Sequence, residues 1–325
     1  MTATPDDGRW IGAALALSQR GVGQTAPNPP VGCVLVKHGR AIGRGWTLPG
    51  GRPHAEAVAL AAAGADARGA TAYVTLEPCA HASVRGPSCA DGLVAAGVAR
   101  VVIAAGDPDP RTDGKGADRL RAAGIIVETG VRRAEAEAVM AGFFSRQRLG
   151  RPHITLKLAV SLDGSVGLAT GESKWITGDR ARAHAHLERA RADMILVGRG
   201  TIKADAPRLD VRLPGLEARS PTIAVMSAFD DFPPGVRQLG SPAALAAVAD
   251  ADLVLAEGGA GLAASLIAAD LVDRLLLYRA PILIGGRPAL SGIGLDSLAA
   301  AHGRWAPGAV IDLGPDRLET YTRIR

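Results

Sequence analysis

Apolar residues at the start of the chain follow first a helical and then a strand-like spacing. Within Trp10–Leu15 they recur three or four residues apart, which predicts an amphipathic helix from the N-cap Asp7 to about Gln19. Two short apolar runs then flank a turn-prone segment and predict a β-hairpin, with strands at Gly32–Val36 and Ala41–Gly43. The chain is therefore expected to open with a helix followed by a pair of antiparallel strands.

After the hairpin, stretches with helical and strand-like spacing alternate. The elements predicted in the first half are a helix at His54–Ala63, a strand at Ala72–Leu76, a helix at Ala90–Ala96, a strand at Arg100–Ala104, a helix at Gly116–Ala123, a strand at Ile125–Val127 and a helix at Ala134–Arg148. The strands predicted in the second half are Ile154–Ala159, Met194–Val197, Thr222–Met226, Leu253–Ala256 and Leu275–Leu277, with helices at Asp179–Arg191, Pro242–Ala249 and Leu262–Ala268. This alternation predicts an α/β fold with mostly parallel sheets.

A Gly-Arg-Pro sequence interrupts the alternation near the middle of the chain. Gly150, Arg151 and Pro152 follow a long predicted helix and are typical of a short linker. The length of 325 residues is also about twice that of a typical domain of ~150 residues. We therefore predict an α/β protein of two three-layer domains, residues 1–149 and residues 150–325.

The composition narrows the classes of function. With 47% hydrophobic and 21% charged residues, the chain is typical of globular proteins and not of disordered ones. The formal charge of +5 favours anionic ligands, but aromatic residues make up 3%, too few for the stacking platforms of single-stranded nucleic-acid binders. No apolar run reaches the ~18 residues of a membrane span, and three cysteines are too few for a disulfide scaffold. We expect a cytoplasmic protein without nucleic-acid or membrane partners.

Four residues with metal or proton chemistry stand where predicted elements begin or end. His54 and Glu56 open a predicted helix. Cys79 follows a predicted strand, and Cys89 opens the next helical stretch. One imidazole and two thiolates form a three-ligand set for a tetrahedral Zn²⁺ ion, whose fourth position then holds water. A carboxylate beside that water can move its proton to a leaving amine, which is the catalytic role that we predict for Glu56.

The spacing of the first two residues sets a condition on this zinc site. Residues two apart do not share a helix face, so His54 and Glu56 can approach one metal only at a helix start. Pro53 just before them favours such a start. The alternative is a surface histidine and small buried cysteines, the commoner fate of each residue taken singly. The combination favours the zinc site, while Cys33, inside an apolar strand, is assigned to the core.

The first half carries a known combination of motifs. His-x-Glu followed by Pro-Cys is the signature of zinc-dependent nucleobase deaminases, and this half resembles the cytidine-deaminase superfamily. Three motifs narrow the resemblance to the RibD family of bifunctional riboflavin-biosynthesis proteins: Pro27-Asn28-Pro29, Leu-Glu-Pro-Cys-Ala-His at 76–81, and Asp107-Pro108. The resemblance implies a deaminase domain in which Asn28 helps to hold a pyrimidine.

Residues 151–212 resemble the reductase domain of the same family, whose fold is like that of dihydrofolate reductase. The matching stretches are RPHITLKLAVSLDG at 151–164, GESKWIT at 171–177 and ILVGRGTIKADAPRL at 195–209. The resemblance implies that NADPH lies against Ala159, Trp175, Thr201, Asp205, Ser227, Gly259 and Gly261. It also implies that a sugar-phosphate substrate lies against Ser173, Arg189, Leu209, Arg212 and Glu257.

The glycine-rich turn and the two arginines can also be argued to bind anions on physical grounds, apart from the resemblance. The glycine-rich turn Glu257–Gly261 follows a predicted strand and opens a helix, where backbone amides can bind a pyrophosphate. The planar guanidinium groups of Arg189 and Arg212 suit a phosphate, because each can bind an oxyanion through two hydrogen bonds. The alternatives are an ordinary turn and solvated surface arginines.

The resemblance implies two reactions in riboflavin biosynthesis. The first half would deaminate 2,5-diamino-6-ribosylamino-4(3H)-pyrimidinone 5′-phosphate, and the second would use NADPH to reduce 5-amino-6-(5-phosphoribosylamino)uracil; a homodimer is also implied. Because the stretch between Arg212 and Glu257 is shorter than is usual in the family, a deaminase with a silent binding or dimerisation domain is the alternative. A polynucleotide deaminase is a third interpretation, against which the few aromatic residues argue.

Overall fold

The chain folds into two compact units, the first ending at Gly150 and the second beginning at Arg151. The computed structural model describes residues 5–81, 86–205, 207–229, 232 and 235–325, without the side chains of residues 5, 204 and 205. Gly150 ends the last helix of the first unit in the left-handed conformation, at φ 67°, which glycine adopts without steric cost.

The first unit is built on a five-stranded sheet. Its elements are α1 (Pro5–Ser18), β1 (Gly32–Lys37), β2 (Arg40–Trp46), α2 (Ala55–Ala63), β3 (Thr71–Leu76), α3 (Cys89–Ala96), β4 (Arg100–Ala105), α4 (Lys115–Ala122), β5 (Ile126–Thr129), α5 (Arg133–Val139) and α6 (Ala141–Leu149). The strand order is β2-β1-β3-β4-β5; β3, β4 and β5 are parallel, and β1 is antiparallel to both neighbours. The predicted hairpin is confirmed. The prediction of a mostly parallel sheet is wrong for this unit, because the hairpin adds two antiparallel pairings to the two parallel ones.

Glycines let two helices lie close against this sheet. A Cβ atom on Gly32 would lie 1.9 Å from the carbonyl oxygen of Ala14 in α1. A Cβ atom on Gly45 would lie 2.2 Å from the carbonyl oxygen of Ala55 in α2. Gly45 pairs with Cys33, and successive residues of a strand point to opposite faces. Helices α1 and α2 therefore cover opposite faces of the sheet, which gives three layers.

The second unit is built on an eight-stranded sheet. Its elements are β6 (His153–Val160), α7 (Asp179–Ala190), β7 (Met194–Gly198), α8 (Arg199–Asp205), β8 (Thr222–Met226), β9 (Arg237–Leu239), β10 (Leu253–Glu257), α9 (Ala260–Ala268), β11 (Arg274–Arg279), β12 (Trp305–Leu313) and β13 (Asp316–Arg323). The strand order is β12-β13-β11-β6-β10-β7-β8-β9, with antiparallel pairing at β12–β13 and β13–β11 and parallel pairing elsewhere. The mostly parallel sheet is thus confirmed here.

Helices cover both faces of this second sheet as well. Leu158 of β6 packs in one apolar cluster with Leu266 of α9. The next residue, Ala159, packs on the other face with Ala185 of α7. No helix among the residues that the structure describes is both long and apolar enough to cross a lipid bilayer.

Two predicted helices need correction. The helix predicted at Ala134–Arg148 is two helices that meet at Met140. The helix predicted after Pro242 is a 3₁₀ helix, Pro242–Ala247. The sequence pattern also missed α8, β9, β12 and β13; β12 contains Pro307 and is exposed along most of its length, so it lacks the apolar alternation of a half-buried strand.

The N-cap predicted for α1 is also wrong. Asp7 lies within the first turn of the helix, and its side chain is fully buried. Its two carboxylate oxygens accept hydrogen bonds from Nη1 and Nη2 of Arg100 in β4, at 2.7 and 3.0 Å. Because water cannot solvate a buried carboxylate, such a partner is required. The charge pair therefore ties the first helix to the sheet.

Replacing Asp7 with asparagine should lower the free energy of unfolding of the first unit by about 3 kcal/mol, because Arg100 then loses its charged partner at a largely buried site. Urea denaturation followed by circular dichroism measures this loss. Asp6→Asn is the matched control, since Asp6 is exposed in the same helical turn. Equal midpoints for Asp7→Asn and the unmodified chain would contradict the stabilising role.

Candidate active sites

The segments that carry His54, Cys79 and Cys89 meet in the first unit. His54 directly precedes α2, Cys79 lies three residues after β3, and Cys89 is the first residue of α3. His54 Nδ1 lies 3.3 Å from Cys89 Sγ and 3.8 Å from Cys79 Sγ. The ligand atoms of all three residues lie within 4.8 Å of one another. His54 and Glu56 thus stand at a helix start, as their approach to one metal requires.

The spacing of these atoms fits a tetrahedral zinc ion. Zn–S and Zn–N bonds of about 2.3 and 2.0 Å put neighbouring ligand atoms roughly 3.5–3.8 Å apart. The distances of 3.3 and 3.8 Å are close to that range. Across the described ranges, no other group of three His, Cys, Asp or Glu side chains converges in this way. Three protein ligands leave a fourth position for water, the arrangement of a catalytic zinc site.

Hydrogen bonds favour the thiolate form of Cys79. A bond from the Cys89 side chain, together with one from His54, outweighs burial and lowers the pKa of Cys79 to about 4. The backbone N–H of Cys89 donates a further bond to Cys79 Sγ, at 3.2 Å. The pKa of Cys89 is raised, chiefly by the hydrogen bond that it shares with Cys79. A coordinated metal ion reverses that shift, because its charge deprotonates a coordinating thiol.

Glu56 lies in the first turn of α2 with 3% of its surface exposed. Burial raises the pKa of this carboxyl, against the opposing effect of His54. A carboxylate whose pKa is raised toward neutrality can take a proton from water and release it to a second group. Cys33, by contrast, is fully buried in β1 and packs in the core.

The side chain of Asn28 braces the segment that leads to His54. Its Nδ2 donates a hydrogen bond to the carbonyl oxygen of Gly51, at 3.1 Å. A Cβ atom on Gly51 would lie 2.2 Å from the same Nδ2, and Gly51 has φ 82°, so glycine is required there. Asn28, the residue predicted to contact the pyrimidine, is thus held against the backbone of Gly51, three residues before His54.

Sequence reasoning missed a second brace, Glu77. This buried carboxylate lies two residues before Cys79 and accepts hydrogen bonds from the backbone N–H groups of Gly114 and Ala117, at 3.1 and 3.0 Å. It therefore caps the start of α4 and fixes the segment that carries the cysteine. The available signal is a charged residue between an apolar strand and Pro-Cys.

The second unit contains a cavity of about 930 Å³, a size typical of small-molecule sites. Its wall includes these residues predicted from the sequence: Ala159, Trp175, Thr201, Gly259 and Gly261 for the cofactor, and Ser173, Arg189, Leu209, Arg212 and Glu257 for the substrate. Ser227 is not brought to this wall; its buried hydroxyl exchanges hydrogen bonds with the backbone of Phe229, both at 3.0 Å. The side chain of Asp205 lies outside the described residues.

A largely buried ion pair crosses one side of this cavity. Nε and Nη2 of Arg189 donate to the two carboxylate oxygens of Glu257, at 2.7 and 2.9 Å, and Nη1 donates to the carbonyl oxygen of Asp210. Burial alone would raise the pKa of Glu257, but the bonds from Arg189 and the charge of Lys157 lower it. The guanidinium of Arg189 is thus engaged within the protein at a largely buried position. The Arg212 side chain is 47% exposed, and its Nη1 donates to the carboxylate of Asp210 at 3.1 Å.

The cavity wall also includes polar residues to which the sequence assigned no role, among them Lys157, His186 and Tyr278. Lys157 precedes Ala159 by two positions in β6, so strand alternation is the signal that puts both on one face. Tyr278 gives no such signal, because its strand is apolar on both faces.

Two protein families match parts of this chain. The cytidine and deoxycytidylate deaminase zinc-binding region matches residues 5–105, which include the three converging ligands. The RibD C-terminal domain matches residues 152–306, which include the whole cavity wall. Each family match therefore coincides with one of the two candidate sites.

Relatives match the chain along nearly its full length. The riboflavin biosynthesis protein RibD of Mycobacterium tuberculosis is 42% identical over 327 residues, covering 95% of this chain and 95% of that protein. The structure of Acinetobacter baumannii RibD, form 1, has a TM-score of 0.88 at 36% identity and covers 98% of this chain and 99% of its own. The diaminohydroxyphosphoribosylaminopyrimidine deaminase/5-amino-6-(5-phosphoribosylamino)uracil reductase of Thermotoga maritima has a TM-score of 0.87 at 30% identity, with the same coverage.

Both halves of the chain thus match the same two-domain proteins. The match of the second half to the RibD C-terminal domain supports a bifunctional enzyme over a deaminase with a silent second domain. The chain belongs to the RibD family, the bifunctional enzymes of riboflavin biosynthesis that join a zinc-dependent deaminase to an NADPH-dependent reductase.

Proposed function

We propose that residues 1–149 carry the deaminase and residues 150–325 the reductase, acting in that order on one phosphorylated pyrimidine. The first unit deaminates 2,5-diamino-6-ribosylamino-4(3H)-pyrimidinone 5′-phosphate, and the second reduces the ribosyl group of 5-amino-6-(5-phosphoribosylamino)uracil to ribityl. The observation that carries this proposal is the convergence of His54, Cys79 and Cys89 in the unit that holds the buried Glu56. The name of the Thermotoga maritima relative supports the same pair of reactions.

In the deaminase, His54, Cys79 and Cys89 would hold a zinc ion, whose contribution would be to make a water molecule acidic enough to attack near neutral pH. Glu56 accepts the proton of that water and delivers it to the leaving amino group. The water oxygen bonds to the ring carbon, the C–N bond breaks, and ammonia leaves. Asn28 orients the pyrimidine, supported by its bond to the segment before His54.

In the reductase, bound NADPH would supply a hydride to C1 of the ribosyl group, whose bond to the ring oxygen would open with uptake of a proton to give the ribityl chain. The backbone at Gly259 and Gly261, where α9 begins, binds the cofactor pyrophosphate through amide groups and the positive end of the helix dipole. Ala159, Trp175 and Thr201 contact the rest of the cofactor, which their position on the cavity wall supports. The protein thereby holds the two reacting carbons in place.

The residues on the substrate side of the cavity have two roles: some bind the phosphate, and others position the sugar. Arg212 and Ser173 bind the phosphate, supported by the position of both on the cavity wall and by the exposure of the Arg212 side chain. Arg189 holds the carboxylate of Glu257 toward the sugar, and Leu209 supplies an apolar contact. The sequence suggested Arg189 as a phosphate ligand; we propose instead that it holds the carboxylate of Glu257 in place.

The assembly and location of the enzyme are proposed on other features. A homodimer built on the second unit is supported by β12, an edge strand with Val310 61% and Ile311 40% exposed. A cytoplasmic location is supported by Cys33, Cys79 and Cys89, none of which forms a disulfide, as is typical of a reducing compartment.

Replacing Cys79 with serine should abolish stoichiometric zinc binding, because a hydroxyl at this position does not ionise to an anionic ligand as a thiol does. Metal analysis of the purified chain measures the zinc content, expected as one ion per unmodified chain. Cys33→Ala is the matched control, since Cys33 lies in the core and is not one of the three converging residues. Full zinc content in Cys79→Ser would remove this thiol from the site.

Replacing Glu56 with glutamine should leave zinc bound but lower the rate of ammonia release by about 10³-fold, because the proton acceptor is lost while the ligands remain. Ammonia release and zinc content are measured on the same sample. Oxidation of NADPH with the deaminated intermediate serves as the internal control and should be unchanged. Deamination at the normal rate would exclude Glu56 as the proton carrier.

Replacing Arg212 with alanine should raise the KM of the reductase for its phosphorylated substrate about tenfold, because a charge-assisted hydrogen bond is lost. Steady-state NADPH oxidation measures this change. Arg208→Ala is the matched control, since Arg208 pairs with the same aspartate, Asp210, but its side chain is 76% exposed and lies off the cavity wall. Equal KM values for the two variants would argue against a phosphate contact at Arg212.

A further inference from the structure

One wall of the reductase cavity is built by three neighbouring parallel strands. In the register of β10 with β6, Glu257 lies opposite Lys157. In the register of β6 with β11, Ala159 lies opposite Tyr278. All four residues line the cavity, and they share the sheet face that α7 covers.

Lys157 lies between two different kinds of partner on this wall. On one side stands the carboxylate of Glu257, whose pKa the charge of Lys157 helps to lower. On the other side, Lys157 Nζ lies 5.7 Å from the ring centroid of Tyr278, within the range of a cation–π contact. A lysine has a flexible four-carbon stem, so contacts of this kind decide where its ammonium group points.

Helix α7 fixes both of these partners from behind. Arg189 holds Glu257 through two hydrogen bonds, at 2.7 and 2.9 Å. His184, less than two turns earlier in the same helix, forms a hydrogen bond with the Tyr278 hydroxyl at 2.8 Å. Tyr278 is 1% exposed, so its ring has no solvent in which to reorient.

The protonation states of Tyr278 and His184 are consistent with a fixed orientation of the tyrosine ring. Burial raises the pKa of the Tyr278 hydroxyl and lowers that of His184. Both groups are therefore neutral, and we assign the tyrosine as donor to Nδ1 of the histidine, with the imidazole proton on Nε2. The bond holds the ring with a face toward Lys157.

We propose that Tyr278, held by His184, is a positioning residue of the reductase that directs the ammonium group of Lys157 into the cavity beside Glu257. The proposal rests on the reductase function proposed above. In this arrangement α7 supports both neighbours of Lys157: His184 bonds to Tyr278 on one side, and Arg189 bonds to Glu257 on the other.

Replacing Tyr278 with leucine should lower kcat for NADPH oxidation about tenfold and leave the KM for NADPH within about twofold, because the lysine is misdirected while the cofactor contacts remain. Tyr278→Phe keeps the ring face but loses the bond to His184, and should lower kcat two- to threefold, roughly the value of one neutral hydrogen bond. Tyr321→Phe is the matched control, since Tyr321 bonds to Glu319 in β13 and lies off the cavity wall.

A double-mutant cycle separates positioning from general destabilisation. In a chain that carries Lys157→Met, the further change Tyr278→Leu should cost less than about twofold in kcat, because the group that the ring directs is already absent. An equal tenfold loss in both backgrounds would overturn the proposal, as it would indicate an effect that does not pass through Lys157.

Nitrogen NMR of the full chain with labelled histidine gives a readout independent of activity. His184 should show an unprotonated, hydrogen-bonded Nδ1, and this signal should move in Tyr278→Phe. An unchanged signal would overturn the bond between His184 and Tyr278.

A chain that oxidises no NADPH would overturn the proposed function and this role with it. An active chain in which Tyr278→Leu has the normal kcat would overturn the positioning role alone.

Discussion

The first unit depends on close packing between helix α2 and the sheet, because that packing sets where the helix starts. The carbonyl oxygen of Ala55 lies so near Gly45 that no side chain fits between them. This contact fixes the first turn of α2, and with it His54 and Glu56. The buried carboxylate of Glu77 fixes the segment before the first cysteine ligand in a similar way. Contacts of the backbone with the rest of the fold therefore position the residues of the zinc site.

The second unit relies on an ion pair for the same purpose. A carboxylate as buried as Glu257 requires a charged partner, and Arg189 supplies one through two parallel hydrogen bonds. The pair ties α7 to the end of β10, where α/β sheets commonly bind their ligands. An arginine that the sequence suggested as a phosphate ligand thus contributes by shaping the wall, while the Arg212 side chain is 47% exposed. The two units differ in fold, and in both a buried polar contact sets the position of the chemistry.

Local patterns predicted the order of most elements and the three converging zinc ligands, because helix starts, strand ends and short motifs are written in neighbouring residues. Contacts between distant residues could not be predicted in this way. Asp7 and Arg100 are 93 positions apart, and nothing in the local pattern of either points to the other. Arg189 and Glu257 are 68 positions apart, so a phosphate-binding arginine and a paired one look the same in sequence. The hairpin of β12 and β13 was missed because β12 buries too little surface to show alternation.

The central claim is that one chain performs both reactions in sequence, each with its own unit. The most direct measurement supplies the unmodified chain with the diaminopyrimidine phosphate and NADPH, and follows ammonia and NADPH in the same vessel to completion. Ammonia should appear first, and one NADPH should finally be consumed for each ammonia released. Ammonia release without consumption of NADPH would contradict the coupled sequence of reactions, because the second unit would then be silent.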